Sequence, residues 1–263
     1  QPPTLRRQRQ MCIRDRYRAI GNVEIIDSIR TAICGIASYD AKNEEIILNH
    51  KPRITSEDRI IKGEQIKLNY TDEVLERIFI PKNAFITSAS AGYNQLNIDS
   101  SNTLISFEDR MSSKVLNGFF MNGSLDSLRL IGMASTTYHL FEDSLYKGKN
   151  LTSGDTIIMR FDEKDLDDIV VEGGSQGEYV PNKKTNDSDF PLIYSADRID
   201  YFLKTETTKL IGNAKAKHEN TDLKAGFIEV NWPSRILNAF PKQPHDSINQ
   251  FIKPTIIEKG RDP

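Results

Sequence analysis

The sequence predicts an all-β fold, an elongated and twisted stack of antiparallel strand-turn-strand units. Three observations predict it: apolar side chains recur at every second position in five segments, a short polar turn follows each segment, and a glycine recurs at one place in the returning strands. A period of two places alternate side chains on one face of a pleated strand, so each segment is half-buried.

The clearest segments are Lys62 to Tyr70, Ser153 to Phe161 and Ser195 to Leu203; Lys224 to Trp232 and the weaker Cys34 to Tyr39 complete the set. Each has a small residue ahead of its alternating apolar positions, so the sequence places a strand start at Ser153-Gly154-Asp155-Thr156 and at its counterparts. The turns that follow, Thr71-Asp72-Glu73, Asp162 to Asp165, Lys204 to Thr207 and Ala41 to Glu44, have the composition of hairpin connections. The returning strands share Ile131-Gly132-Met133-Ala134, Ile211-Gly212-Asn213-Ala214 and Ile20-Gly21-Asn22-Val23. Glycine inside a strand marks a bulge or bend, so a glycine at the same place in each unit curves the stack consistently.

Other stretches read as connections. Pro181 to Pro191 is a loop between units, Pro241 to Pro263 a coil or edge segment, and Ser100-Ser101-Asn102 and Asn122-Gly123-Ser124 are turns. Tyr70 to Phe79, the best candidate for helical spacing, is interrupted by the period of two on both sides, so little or no helix is expected.

Arg6 to Arg16 reads as the translation of a transposase-end sequencing adapter, which sets residues 1–16 aside as non-native. The natural N-terminus is then lost upstream of about Tyr17, no signal peptide can be sought, and the chain is expected to continue beyond Pro263. Charge is balanced, with 35 Lys and Arg against 37 Asp and Glu, and the signs alternate along the chain. That argues against nucleic acid or a polybasic membrane patch as partner. With Cys12 set aside only Cys34 remains, which excludes an internal disulfide or a cysteine metal site. No apolar run approaches the roughly 20 residues of a membrane-spanning helix.

Candidate chemistry is sparse. His50, His139, His218 and His245 lie in different units without metal-ligand spacing, and the reading is that they cap strand ends or sit on the solvated face. Asp162, Asp165, Asp167 and Asp168 form the densest acidic cluster; a solvated hairpin loop is favoured over calcium binding or paired catalytic carboxylates. Ser153-Gly154-Asp155-Thr156 has neither a nucleophile elbow nor a Walker lysine around it. Trp232, Phe227 and Tyr201 could stack on a sugar, but core packing is favoured. Neither a catalytic group, a metal nor a cofactor is called for.

The order of small residue, Asp or Glu, alternating apolar residues, polar turn and Ile-Gly-Asn-Ala resembles the OstA-like family of lipopolysaccharide-transport proteins. The resemblance runs from about Ile20 to the end and is clearest at Leu128 to Thr137, Tyr146 to Phe161 and Leu210 to Trp232. It implies a twisted antiparallel β-jellyroll over residues 17–240, with an inserted loop at 181–192 and an irregular proline-rich segment at 241–263. It implies a non-enzymatic periplasmic carrier, with no barrel strands recognisable in this stretch, whose partners are lipopolysaccharide or a related lipid and other Lpt-type jellyroll proteins paired edge to edge. Ile66, Leu68, Ile157, Met159, Phe161, Ile199, Tyr201, Ile228 and Val230 would then face an interior groove for acyl chains. The two proline-bounded segments depart from the periplasmic bridge and point to the N-terminal domain of an outer-membrane translocon or a larger member. The competing readings are an adhesive surface β-repeat, disfavoured by the variable unit length, and a β-helix enzyme acting on polysaccharide through the acidic cluster.

Overall fold

The computed structural model describes residues 16–26, 30–56, 59–95, 102–162, 165–182, 190–234, 236–241 and 252–258. Expectations for Glu163, Lys164, Ser100, Ser101, His245, the body of the Pro181–Pro191 loop and most of 241–263 lie outside the described residues. Among these residues the chain is all-β: 18 strands in one hydrogen-bonded sheet, without a helix. Every ladder is antiparallel except one parallel bridge between Leu145 and Tyr93.

Two long strands, β1 (Arg16–Ile26) and β2 (Arg30–Asp40), form the first hairpin. The chain then continues in shorter pieces, β3 (Glu45–Asn49), β4 (Arg53–Ser56), β5 (Arg59–Lys62), β6 (Gln65–Thr71), β7 (Val74–Ile80), β8 (Ala84–Gln95), β9 (Asn102–Ser113) and β10 (Val115–Met121). After these come six unbroken strands, β11 (Ser124–Glu142), β12 (Leu145–Asp162), β13 (Asp165–Pro181), β14 (Leu192–Phe202), β15 (Thr207–His218) and β16 (Thr221–Asn231). Short strands β17 (Ile236–Phe240) and β18 (Thr255–Glu258) both pair with β16, at opposite ends of it.

The pairings define two layers. In one, β2 continues through β3, β6, β7 and β10 to the first half of β11. In the other, the opposite half of β2 continues through β4, β5, β8 and β9 to the second half of β11. From β11 onward each strand contributes to both layers. Tyr194 and Tyr201 show this directly. They are seven residues apart in β14, a span of roughly 23 Å in a straight strand at about 3.3 Å per residue, yet their hydroxyls lie 3.0 Å apart. The strand therefore folds over between them.

The fold-over lies in one column of corners. Register shifts fall between Ile20 and Val23, Ile131 and Ala134, Ser153 and Thr156, Glu172 and Ser175, Ser195 and Arg198, and Ile211 and Ala214. Where the strands are short, the same column is the gap between pieces, bridged by Gly35 N–H to His50 O at 3.0 Å and Lys114 N–H to Gly132 O at 2.9 Å. The recurring Ile-Gly-Asn has its reason here. Gly212 and Asn213 both hold left-handed φ values of 73° and 48°, as do Gly21 and Asn22 at 86° and 41°. Glycine and asparagine tolerate that region best.

One sequence expectation is corrected by this geometry. Ser153-Gly154-Asp155-Thr156 and Ser195-Ala196-Asp197 are not strand starts; they lie inside β12 and β14, at the corner. Their small residues sit where the layers converge, and their aspartates pack on the left-handed glycine of the neighbouring strand. A Cβ on Gly212 would come within 2.4 Å of Asp197 Oδ2, and one on Gly173 within 2.4 Å of Asp155 Oδ2. The two repeated motifs are the two sides of one corner.

Candidate functional site

Alternation puts one face of every strand between the layers, and the buried side chains there form a single core. All nine sequence-predicted groove positions face this interior. Ile66, Ile157, Met159, Ile199 and Ile228 are fully buried, Leu68, Tyr201 and Val230 are buried, and Phe161 is half-buried against them. In the structure these side chains close on one another.

Those nine positions make one wall only. The facing wall was missed where its residues are small or polar: Ala134, Thr136, Thr152, Ala196, Ala214 and Ala216 are buried there, together with the larger Ile54, Ile86 and Leu223. The available signal was the alternation Ala214, Ala216 beside Ala134, Thr136, Tyr138. Small side chains near the corner let the layers approach, and toward the turns the space is filled by rings. Gly177 lacks a side chain because the ring of Tyr194 occupies the position, with ring atoms 2.2 Å from where a Cβ would stand.

A directional hydrogen-bond chain crosses between the layers here. Tyr194 O–H donates to Asn150 Oδ1 at 2.9 Å. The contact of 3.0 Å between the two tyrosines is therefore supplied by the Tyr201 proton, and Thr152 O–H donates to Tyr201 at 3.1 Å. Burial pushes the phenols of Tyr194 and Tyr201 above the ordinary tyrosine range. Tyr138 is pushed up as well, first by burial and then by the proximity of Tyr201 and Asp109.

Asp109 belongs to a second cluster, at the place where β9 and β11 part after pairing only over Ser135 to Thr137. Its Oδ1 accepts the His139 backbone N–H at 2.8 Å and Nδ1–H at 2.7 Å. The imidazole stacks on Phe107 at 4.2 Å between ring centres, and Tyr146 lies 4.5 Å from the same ring. The expectation that the histidines cap strand ends or sit on the solvated face is therefore corrected for His139, whose side chain is 11% exposed. His50 is exposed at the corner after β3. The tip of the β11–β12 hairpin leans onto β8, where Tyr93 N–H donates to Ser144 O at 2.7 Å and Phe141 covers Gly92.

Three of the four aspartates of the acidic cluster form ion pairs between neighbouring strands and turns. Lys204 Nζ lies 2.5 Å from Asp162 and 3.2 Å from Asp167, and Arg160 lies 2.7 Å from Asp168. No group of three or more His, Cys, Asp or Glu suited to a metal ion occurs among the described residues. Trp232 packs against the core, donates Nε1–H to Thr208 at 2.9 Å and meets Tyr179 edge-on at 5.8 Å. Phe227 is buried against Phe240 at 5.7 Å.

At both ends of the sheet a strand edge has no partner among the described residues: β1 at one end, β17 and β18 at the other. These edge strands carry exposed apolar side chains, Tyr17, Ile20 and Ile26 at the first and Ile236, Phe240 and Ile256 at the second.

No known family profile matches the chain, and no curated protein matches it in sequence. Among solved structures, the chain is similar to LptH, the LptA-homologous periplasmic component of the lipopolysaccharide transport device of Pseudomonas aeruginosa, over 57% of this chain and 93% of that one, with 14% identity and a TM-score of 0.45.

Proposed function

We propose that the chain is a non-enzymatic, periplasmic lipid-binding jellyroll that shelters the acyl chains of lipopolysaccharide or a related lipid on their way to the outer membrane. The observation that carries this reading is the interior itself, a single apolar core between two layers that are joined along a line of corners and continue from β1 at one end of the sheet to β17 and β18 at the other. The family resemblance in the sequence points the same way.

A buried methylene is worth about 0.8 kcal/mol, so a dodecyl chain left in water costs on the order of 10 kcal/mol. An acyl chain entering between the layers exchanges side-chain contacts for lipid contacts, so apolar burial is conserved while the layers part about the corner. The edges of β1, β17 and β18, without a partner among the described residues, offer backbone groups to other Lpt-type jellyroll proteins, giving a lipid a continuous path between modules.

The test is mass spectrometry of an organic extract from the chain secreted to the periplasm of a lipopolysaccharide-producing host. Co-purifying lipid A species are expected. Folded protein free of lipid overturns the carrier reading in favour of a structural β-repeat.

A further inference from the structure

The outer face of the first layer gathers positive charge that no carboxylate answers. The alternation that buries Ile66, Leu68, Ile78, Ile80, Leu116 and Leu128 turns Lys67, Phe79, Asn117 and Arg129 outward on β6, β7, β10 and β11. Register sets these four in one row across the sheet: Lys67 stands opposite Phe79, Phe79 opposite Asn117, and Asn117 opposite Arg129. Arg77 starts one row away, opposite Phe119, and its side chain turns back into the row. Its guanidinium lies 4.9 Å from the ring centre of Phe79 and 5.7 Å from that of Phe119, and Nη2–H donates to Asn117 Oδ1. Neighbouring strands are about 4.8 Å apart, so the Lys67 and Arg129 backbones flank this guanidinium across roughly 14 Å, a span that two long side chains close from either end.

None of the three cations forms an ion pair among the described residues. Farther along the same face Arg160, Arg198 and Lys209 are each matched by a carboxylate. Glu76 and Asp126, the nearest acids along β7 and β11, are the bulged residues of their ladders and pair with none of the three. Arg77 also keeps an unmet donor, because its Nε is enclosed without a hydrogen-bond partner. A guanidinium resting on aromatic rings, partly withdrawn from water and lacking a counter-ion, attracts an anion more strongly than a solvated one. The rings and Asn117 also fix its plane in advance, which lowers the ordering cost of recognition.

We propose that Lys67, Arg77 and Arg129 form an anion site on the outer face of the sheet that takes a phosphate ion or a phosphate monoester. A phosphate group brings close to two negative charges and three acceptor oxygens, enough to engage all three cations, whereas a carboxylate brings one charge and two oxygens. The site lies outside the core and is independent of what the interior shelters.

The test is calorimetric titration of the chain with inorganic phosphate and with acetate at fixed ionic strength, beside co-sedimentation with phosphatidylcholine vesicles with and without phosphatidate. Phosphate is expected to bind at least about tenfold more tightly than acetate and to weaken as salt rises. Arg77→Met, which keeps the stem on the rings, should weaken phosphate binding about tenfold or more, the size of a lost charge-assisted hydrogen bond. Arg129→Gln alters an exposed side chain with no ion pair to lose, so it leaves the fold intact and should weaken binding as well. Lys215→Gln, on β15, should leave binding unchanged. Arg77-dependent binding to phosphatidate vesicles identifies a lipid headgroup as the source of the phosphate; phosphate binding without vesicle binding identifies a soluble one. Equal affinity for acetate, or affinity that survives both Arg77→Met and Arg129→Gln, or that falls equally in Lys215→Gln, overturns the site.

Discussion

The amide of Asn213 donates to both carboxylate oxygens of Asp197, at 2.9 and 3.2 Å, and so ties the bulge of β15 to the corner of β14. Asp197→Ala should cost about 1 kcal/mol in denaturant unfolding, less than the roughly 1.5–3 kcal/mol of a hydrogen bond to a charged group because this one is exposed to solvent. An unchanged midpoint would show that the left-handed bulge holds without its partner.

Met133 occupies the place that Asn22 and Asn213 fill in the other units, with φ of 49° and the residue 70% exposed. A non-glycine residue in the left-handed region is strained, and asparagine is strained least. Met133→Asn is therefore expected to stabilise the chain by roughly 0.5–1 kcal/mol. A loss of stability on thermal or urea unfolding would show that methionine makes a contact there that outweighs the backbone preference.

Ile157 and Ile199 are fully buried on the wall identified from sequence, whereas Phe161 is half-buried. Ile157→Ala and Ile199→Ala should each cost about 2–4 kcal/mol through lost burial and the cavity left behind. Phe161→Ala should cost less than the 3–5 kcal/mol typical of a buried phenylalanine. The reverse ranking in urea midpoints would contradict the burial pattern.

Asp109 satisfies the backbone N–H of His139 where β11 leaves β9. Asp109→Ala removes that acceptor and the imidazole's partner together, at an expected cost of about 1–3 kcal/mol. Hydrogen exchange should quicken first across the hairpin tip from His139 to Tyr146. Unchanged protection there would mean that the stacking on Phe107 holds the tip by itself.

Burial raises the phenols of Tyr138, Tyr194 and Tyr201 above the ordinary value of 10.0. Their folded-state values exceed the unfolded ones, so the stability they contribute is complete below about pH 10 and is lost as pH rises toward the folded values. In an alkaline titration these tyrosines should ionise together with loss of the β signal in circular dichroism, after the exposed ones. Tyr138→Phe should move the unfolding midpoint to higher pH, because it removes one such group without removing a hydrogen bond.

The strands that were legible in the sequence are those with a strict period of two. Ile66-Lys67-Leu68 and Ile157-Ile158-Met159 announced one wall of the interior because alternating aliphatics on a half-buried strand leave few other readings. Tyr194, Thr152 and Asn150 gave no such signal, since a tyrosine or threonine in a strand has the same local pattern whether it faces solvent or a partner. Asp197 and Asn213, 16 residues apart, each appeared in a repeated motif, but their contact is set by strand register.

By itself the sequence determined the all-β class, the hairpin turns and the recurring bend, because these depend on side-chain alternation, turn chemistry and the left-handed tolerance of glycine and asparagine, all local properties. Only the tertiary structure decided that the bends line up into one corner, that two walls face each other, and that hydroxyls from both walls meet. Those follow from strand register, and register brings together residues whose separation along the chain carries no record of their contact.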